Sequence, residues 1–466
     1  MKKEIYPTEV LDVTIDRLDE KGRGVVSYVH APDKGSNGKH LKIIMNNVVP
    51  GDKVRVTVDN AKGRKTAVIE YDELLSPGPS RISEVNITVN EAGGTPLQFM
   101  KYEDQLKLKQ ELVQGYLVEK GFDVEKVQLI IGMENPYRYR NKMELTFGSD
   151  GALGMHRQGN FREIIDMEDS MLAPEEMVQV KHAVSQWQKD HALSGYDKDS
   201  KEGLLRNLMM RKSFATEELM VVIFATERAE DLPEVAADLT NRLSGQFENL
   251  ASLIWVLNRN VADSTQSEEE MVLFGRDYIY DQLKGFNYRI WHDTFFQANP
   301  VQAEKLVDLA LDYAEVDASM RTLDLFCGVG TFSLPMAARS KELAGIEIVE
   351  SSIQSARRNA VDNGLDNTYF MVSDARSGLK TLKEEWGQPD LLLLDPPRSG
   401  AGGKVMRSIG RFGTEKIVYV SCNPKSLAED LVWLRDFGYE LQVVQPVDQF
   451  PHTMHVECVV LITRNI

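Results

Sequence analysis

Three stretches near the end of the chain bring reactive residue types to the tips of apolar runs: LLLLDPPRSG, KIVYVSCNPKSLAEDL and FPHTMHVECVVLI. In the first, Asp395 follows four leucines, and the two prolines behind it fix the backbone and remove amide donors. In the second, Cys422 ends a strand-like run and precedes Asn423, Pro424 and a helix starting near Ser426. A lone cysteine on a strand is most often core. A thiol between a strand and a helix N-terminus, with Lys425 nearby, is instead expected to have a lowered pKa and to act as a nucleophile. In the third, Glu457 lies in a β-like run, where an unpaired carboxylate is costly to bury. It either pairs with His455 or Arg464, or serves as a base beside the thiolate. Cys458 points to the opposite face from Glu457, and Cys327 abuts a glycine turn; both read as core.

That turn belongs to TLDLFCGVGTFSLPMA, a strand, a glycine turn and a helix. Gly328 and Gly330 let the backbone turn sharply and approach a ligand. A dinucleotide fingerprint requires a third glycine at the position of Ser333, and no Walker lysine follows. Glu347 ends the next strand, where an acid binds ribose hydroxyls. Asp374 follows the strand after that. Two acids without a phosphate cradle suit S-adenosylmethionine, an adenosine and an amino acid with no phosphate.

Strands alternating with helices place these residues. TLDLF, LAGIEI, NTYFMVS, LLLLD, KIVYVS and CVVLIT alternate with helix-like SIQSARRNAVDNG, KVMRSIGRFG and SLAEDLVWLRDFG. That pattern implies a parallel sheet covered on both faces, with ligands at its carboxyl edge and an antiparallel edge at the end. The first 75 residues instead carry short alternating strands with no helix between them, the pattern of a small barrel. LLSPGPSR reads as a linker and KYEDQLKLKQELVQGYLVEKG as a helix ended by Gly121. The middle of the chain mixes strands and helices, and STQSEEE reads as a charged loop.

Composition sets the limits. The chain has 466 residues, 42% of them hydrophobic, enough for about three domains. No apolar stretch approaches the roughly 20 residues of a membrane helix, and the N-terminus lacks a signal peptide's apolar core. Three cysteines suit a reducing cytoplasm without a disulfide framework. The net charge of −17 weighs against a nucleic-acid partner without excluding a local basic patch. Tyr137, Arg138, Tyr139, Arg140 and Lys142 interleave aromatic and basic groups, and Arg206, Arg211 and Lys212 form a second set. Such residues stack bases and bind phosphates.

Taken together, HDTFFQANP, DLFCGVGTFSLPMA, GIEIVESSIQSARRNA, LLLLDPPRSG, YVSCNPKSLAEDL and FPHTMHVECVVLI resemble the RNA uracil-5-methyltransferase family in order and spacing. The N-terminal pattern DEKGRGV…NNVVPGDKVRV resembles the OB-like TRAM module, and YRNKMELTFG extends the likeness over most of the chain. The resemblance implies an α/β fold in three domains. Residues 1–75 are a TRAM-like barrel, 76–275 a central α+β RNA-binding domain, and 276–466 a Rossmann-like methyltransferase domain on which the helix near 101–121 packs. It implies a cytoplasmic, monomeric, S-adenosylmethionine-dependent enzyme acting on RNA. Gln297, Phe326, Gly328, Glu347, Asp374 and Asp395 would serve the cofactor or the base beside it, with Cys422 as nucleophile and Glu457 as proton-abstracting base. The barrel points to the 23S ribosomal RNA branch. The alternatives are a tRNA uridine-5 methyltransferase and a non-catalytic RNA-binding protein. Where many relatives carry four iron–sulfur cysteines, this chain has Asn86, Ala92, Thr95 and Ser170, so no cluster and no metal is expected.

Overall fold

The computed structural model describes residues 9–29, 40–58, 66–83, 91–260 and 267–464. The chain divides into two compact units, Met1–Lys109 with Phe450–Met454, and Gln110–Gln449 with His455–Ile466.

The first unit is built on two small sheets. One orders Glu9–Thr14, Lys53–Val58 and Glu73–Ser76; the other orders Arg17–Leu18, Gly24–Val29, His40–Met45 and Thr66–Val68. Alternation drives the packing: Val54, Val56 and Val58 point inward with Ile15, Ile43 and Met45, while Lys53 and Arg55 face out. The segment read as a linker is pinned. Buried Asp52 pairs with Arg81 at 2.6 Å and accepts from the amide of Gly78 at 2.8 Å. The turns APDKGSNGK and NAKGRK, and Asn86, lie outside the described residues.

The second unit holds two seven-stranded sheets. The catalytic sheet runs Thr368–Val372, Glu342–Glu347, Arg321–Leu325, Leu391–Leu394, Lys416–Ser421, Glu457–Arg464, Tyr439–Val447. Its first five strands are parallel, and the last two are antiparallel to their neighbours. The four leucines before Asp395 show why this order works. Leu391 and Leu393 enter one core, Leu392 and Leu394 the other, as in a sheet covered on both faces. The helix Tyr102–Glu119 sends Val113 and Leu117 into the second of these cores and ends at Gly121, whose φ is 73°.

The other sheet, from Lys142–Phe147 to Glu269–Gly275, uses its two faces differently. Leu208, Met210, Val221 and Ile223 pack with Val180 and Leu239 of two covering helices. Met209, Val222 and Phe224 share a core with Phe296, Ala303 and Leu306 beside the catalytic sheet. This continuous core joins the central and catalytic regions in one unit. Glu269 and Glu270 of the expected charged loop begin an edge strand, Glu269–Gly275, instead. Among the described residues no helix is long and apolar enough to cross a membrane.

Candidate active site

The carboxyl edge of the catalytic sheet gathers the expected residues. Strand register sets the central pair: Ser421, the last residue of its strand, lies opposite Cys458, and Cys422 just past that end comes near enough to Glu457 for the carboxyl to act on its thiol. Opposed residues on neighbouring strands project to the same face. Glu457 is 6% exposed, and its carboxyl takes no hydrogen bond or ion pair among the described residues. His455 is engaged by Arg398 at 2.8 Å and Arg464 donates to the carbonyl of Phe437, so neither expected structural partner holds Glu457.

The electrostatics reverse one expectation. Burial, then the Glu457 and Asp395 carboxyls, push the Cys422 thiol up to about 12, opposed by the Arg398 cation. Lys425 lies over the ring of Tyr116, 5.8 Å from its centre. The lowered thiol pKa expected from the helix start and Lys425 is therefore corrected: desolvation and two neighbouring acids outweigh them. Burial pushes Glu457 up to about 8, with Asp395 adding to the rise and Arg398 opposing it. Asp395 is raised to about 7 by burial and then by Asp324. Cys327 and Cys458 are buried, as expected of core thiols.

Arg398, within DPPR, is the cation that sequence reasoning missed. Its carbonyl accepts from Asn423 Nδ2 at 3.0 Å and Ser426 Oγ at 3.2 Å, knitting its loop to the thiol's turn. Asp430 braces the same loop, accepting from the amides of Ala401 and Gly402 and from the Tyr419 hydroxyl.

At the glycine turn, Phe326 adopts φ 73°, a conformation that strains any residue with a Cβ. Gly328, at φ 52°, has open space where a side chain would stand. Glu347 accepts from the amides of Ile348, Val349 and Gly328 at 2.8, 2.9 and 3.3 Å. Each carboxylate oxygen has two lone pairs, so hydroxyl donors can still bind. Exposed Ile348 beside it offers an apolar platform, and the set fits an adenosine. Asp374 caps the helix Ala375–Glu385, accepting from the amides of Arg376 and Ser377. Gln297 is 9% exposed; Gln449 Nε2 donates to its Oε1 at 3.4 Å, and Asn141 Nδ2 to its carbonyl at 3.0 Å. Asn141, in YRNKM, thus positions a residue far along the chain, a link no local pattern announces. Asp324 was missed as well. It is buried, accepts from Ser333 Oγ, leaves Oδ1 without a partner, and is raised to about 7 by burial.

The family model described as tRNA (uracil-5-)-methyltransferase matches residues 101–465. The chain belongs to this family. It is an RNA methyltransferase with a Rossmann-like catalytic fold. An uncharacterized RNA methyltransferase of Clostridium tetani is 34% identical over 99% of this chain and 98% of its own length. Another, from Bacillus cereus, is 33% identical over 100% and 98%. The structure of Pyrococcus abyssi tRNA (uracil-54, C5)-methyltransferase, solved with S-adenosyl-L-homocysteine, superposes with a TM-score of 0.76 at 26% identity. It covers 97% of this chain and 100% of its own. A tRNA enzyme thus matches over nearly the whole chain, so the N-terminal domain does not by itself separate the ribosomal from the tRNA branch.

Most of the residues expected to contact RNA also have partners within the protein. Among Tyr137, Arg138, Tyr139, Arg140 and Lys142, Tyr137 is 41% exposed, whereas Tyr139 is buried. Arg138 binds Asp169 and the carbonyls of Ser170 and Ala173; Arg140 binds the carbonyl of Lys142; Lys142 pairs with Glu144 at 2.6 Å. Arg211 is 2% exposed and donates to the carbonyl of Thr294, and Arg206 is buried against Asn258 and Asn260. Lys212 pairs with Glu176 and Glu217. Within the protein these cations brace neighbouring loops. Thr95 and Ser170, which stand where the resemblance expects cysteines, are buried, and Ser170 Oγ accepts from the amides of Leu172 and Ala173 at 3.2 Å each.

Proposed function

We propose that the protein transfers a methyl group from S-adenosylmethionine to C5 of a uridine in RNA, through a covalent link between Cys422 and C6. The observation that supports this reading is a thiol just past a strand end, near a buried carboxyl that no hydrogen bond or ion pair holds among the described residues, at the sheet's carboxyl edge.

C5 of uracil is a poor nucleophile, and addition of a thiolate to C6 makes it enolate-like. Cys422 Sγ loses its proton to water and bonds to C6; the Arg398 cation favours the charged forms of both Cys422 and Glu457. Gly328 and Glu347 would hold S-adenosylmethionine, Glu347 through its ribose hydroxyls, and the cofactor would supply the methyl group from its sulfonium and leave as S-adenosylhomocysteine. Once C5 carries the methyl group, Glu457 removes the C5 proton. The C5–C6 double bond re-forms as the bond to Cys422 breaks. Asp395 and Gln297 orient the reactants, and the uridine must be unstacked to reach them.

Ribosomal RNA is the proposed substrate class on the likeness of the N-terminal segment to the TRAM module alone; the relatives that match over the whole chain are named RNA methyltransferases with no RNA class. The Pyrococcus superposition favours tRNA as a second reading. Labelled S-adenosylmethionine incubated with unmodified ribosomal RNA and tRNA, followed by nucleoside analysis, tests both. Label in 5-methyluridine from ribosomal RNA is expected. Label from tRNA alone moves the substrate, and label in no 5-methyluridine overturns the reaction.

A further inference from the structure

A cavity of about 560 Å³ opens between the strand Phe286–Trp291 with the loop after it and the start of the helix Glu350–Asp362. Its walls are unlike each other. One side carries Trp291 and Phe295, and Phe295 is a large aromatic left 76% exposed. Another carries Ser351, Ser352 and Arg358. Asp293 and Glu270 complete the lining, with Glu270 bound to His292 at 2.8 Å.

Arg358 is the unusual member. The chain's net charge is −17, and the cations of the central segment are each engaged by carboxylates or carbonyls. Arg358 makes no hydrogen bond or ion pair among the described residues; its one contact is over the Trp291 ring, 5.7 Å from the centre. A guanidinium left free at the mouth of an aromatic cavity is suited to a phosphate or the face of a base. Two serine hydroxyls lie on the same wall, in the first turn of a helix that has no side-chain cap. An exposed ring next to a free guanidinium matches how single-stranded RNA is held, by stacking plus phosphate contact. Two sequence links tie the cavity to the catalytic edge. Phe295 lies two residues before Gln297, and Val349, on the cavity wall, lies two after Glu347.

We infer that this cavity is a subsite for a nucleotide flanking the target uridine. Phe295 stacks on its base, Arg358 with Ser351 and Ser352 binds its phosphate, and Asp293 accepts from its 2′-hydroxyl. The inference rests on the RNA reading of the catalytic edge and deepens it.

Filter binding of a single-stranded uridine-containing RNA across a salt series, with methylation kinetics alongside, tests it. In Arg358→Glu the affinity is expected to fall about tenfold and the salt slope by about one phosphate contact, with KM for RNA raised and kcat at saturating RNA retained. RNA carrying 4-thiouridine beside the target should photocrosslink to Trp291 or Phe295. Arg358 is exposed and makes no hydrogen bond or ion pair among the described residues, so its substitution is expected to leave folding intact. Unchanged affinity and salt slope in Arg358→Glu, or crosslinks mapping elsewhere, overturn the subsite. A wild-type protein that binds RNA through Arg358 yet transfers no methyl group overturns the reaction and keeps the subsite. A wild-type protein that binds no RNA overturns both.

Discussion

The catalytic edge and the segment Tyr137–Lys142 treat charge in opposite ways. At the edge, Asp324 and Glu457 are buried without a countering ion pair, and burial drives both, with Asp395 and Cys422, toward their neutral forms. In the central segment Arg138, Arg140 and Lys142 are neutralised or spent on carbonyls. Charged groups left without partners inside a protein are destabilising, so their survival marks where a reaction uses them. Fully partnered surface cations mark where the fold uses them.

Substitutions should separate the two regions, most strongly at the thiol. Cys422→Ala is expected to abolish methylation, and with it the denaturation-resistant adduct on RNA carrying 5-fluorouridine; near-normal turnover would rule out the covalent route. Glu457→Gln should lower turnover by about 10²–10⁴-fold while still allowing that adduct to form, since the base acts after Cys422 has added. In the wild type kcat/KM should rise with pH through about 8, because Glu457 must be ionised to take a proton. A flat profile across that range would remove Glu457 from the role.

The same carboxyl predicts a stability effect with a definite sign. Its folded value of about 8 lies above the ordinary 4.5. Both states are protonated at low pH, so its burial penalty is absent there. Between the two values the unfolded chain has shed a proton that the folded chain keeps, and stability falls as pH rises through this window. Glu457→Gln should therefore raise Tm over wild type most above pH 8 and least near pH 4.5. A melting series with pH reads this directly. The smallest expected effect lies in the central segment: Arg138→Ala should lower Tm by about 2–4 °C, roughly what loss of 1 kcal/mol does, and leave RNA affinity unchanged. A selective loss of RNA binding there would erase the contrast.

The catalytic sheet was legible because periodicity reports burial. Four consecutive leucines mean two covered faces, and a glycine turn after a strand means a ligand edge. Cys422 and Glu457 could be singled out because one follows directly on such a strand and the other opens one. Side-chain electrostatics were not legible. Lys425 is three residues from Cys422 yet turns to Tyr116, whereas Arg398, far along the chain, is the cation that lowers the thiol. The tyrosine–arginine alternation is limited for a related reason: it shows residue type, not whether the carbonyls of Ser170 and Ala173 are waiting for the guanidinium. Asn141 went unseen because its partner, Gln297, is brought to it only by the packed sheets.

Ser170 has a consequence for the life of the molecule in a cell. The turn it organises is held by a hydroxyl taking two amide hydrogens, an arrangement that needs no iron and that peroxide does not attack. That turn keeps its shape through protein hydrogen bonds alone, whatever the metal supply or oxidant level around it.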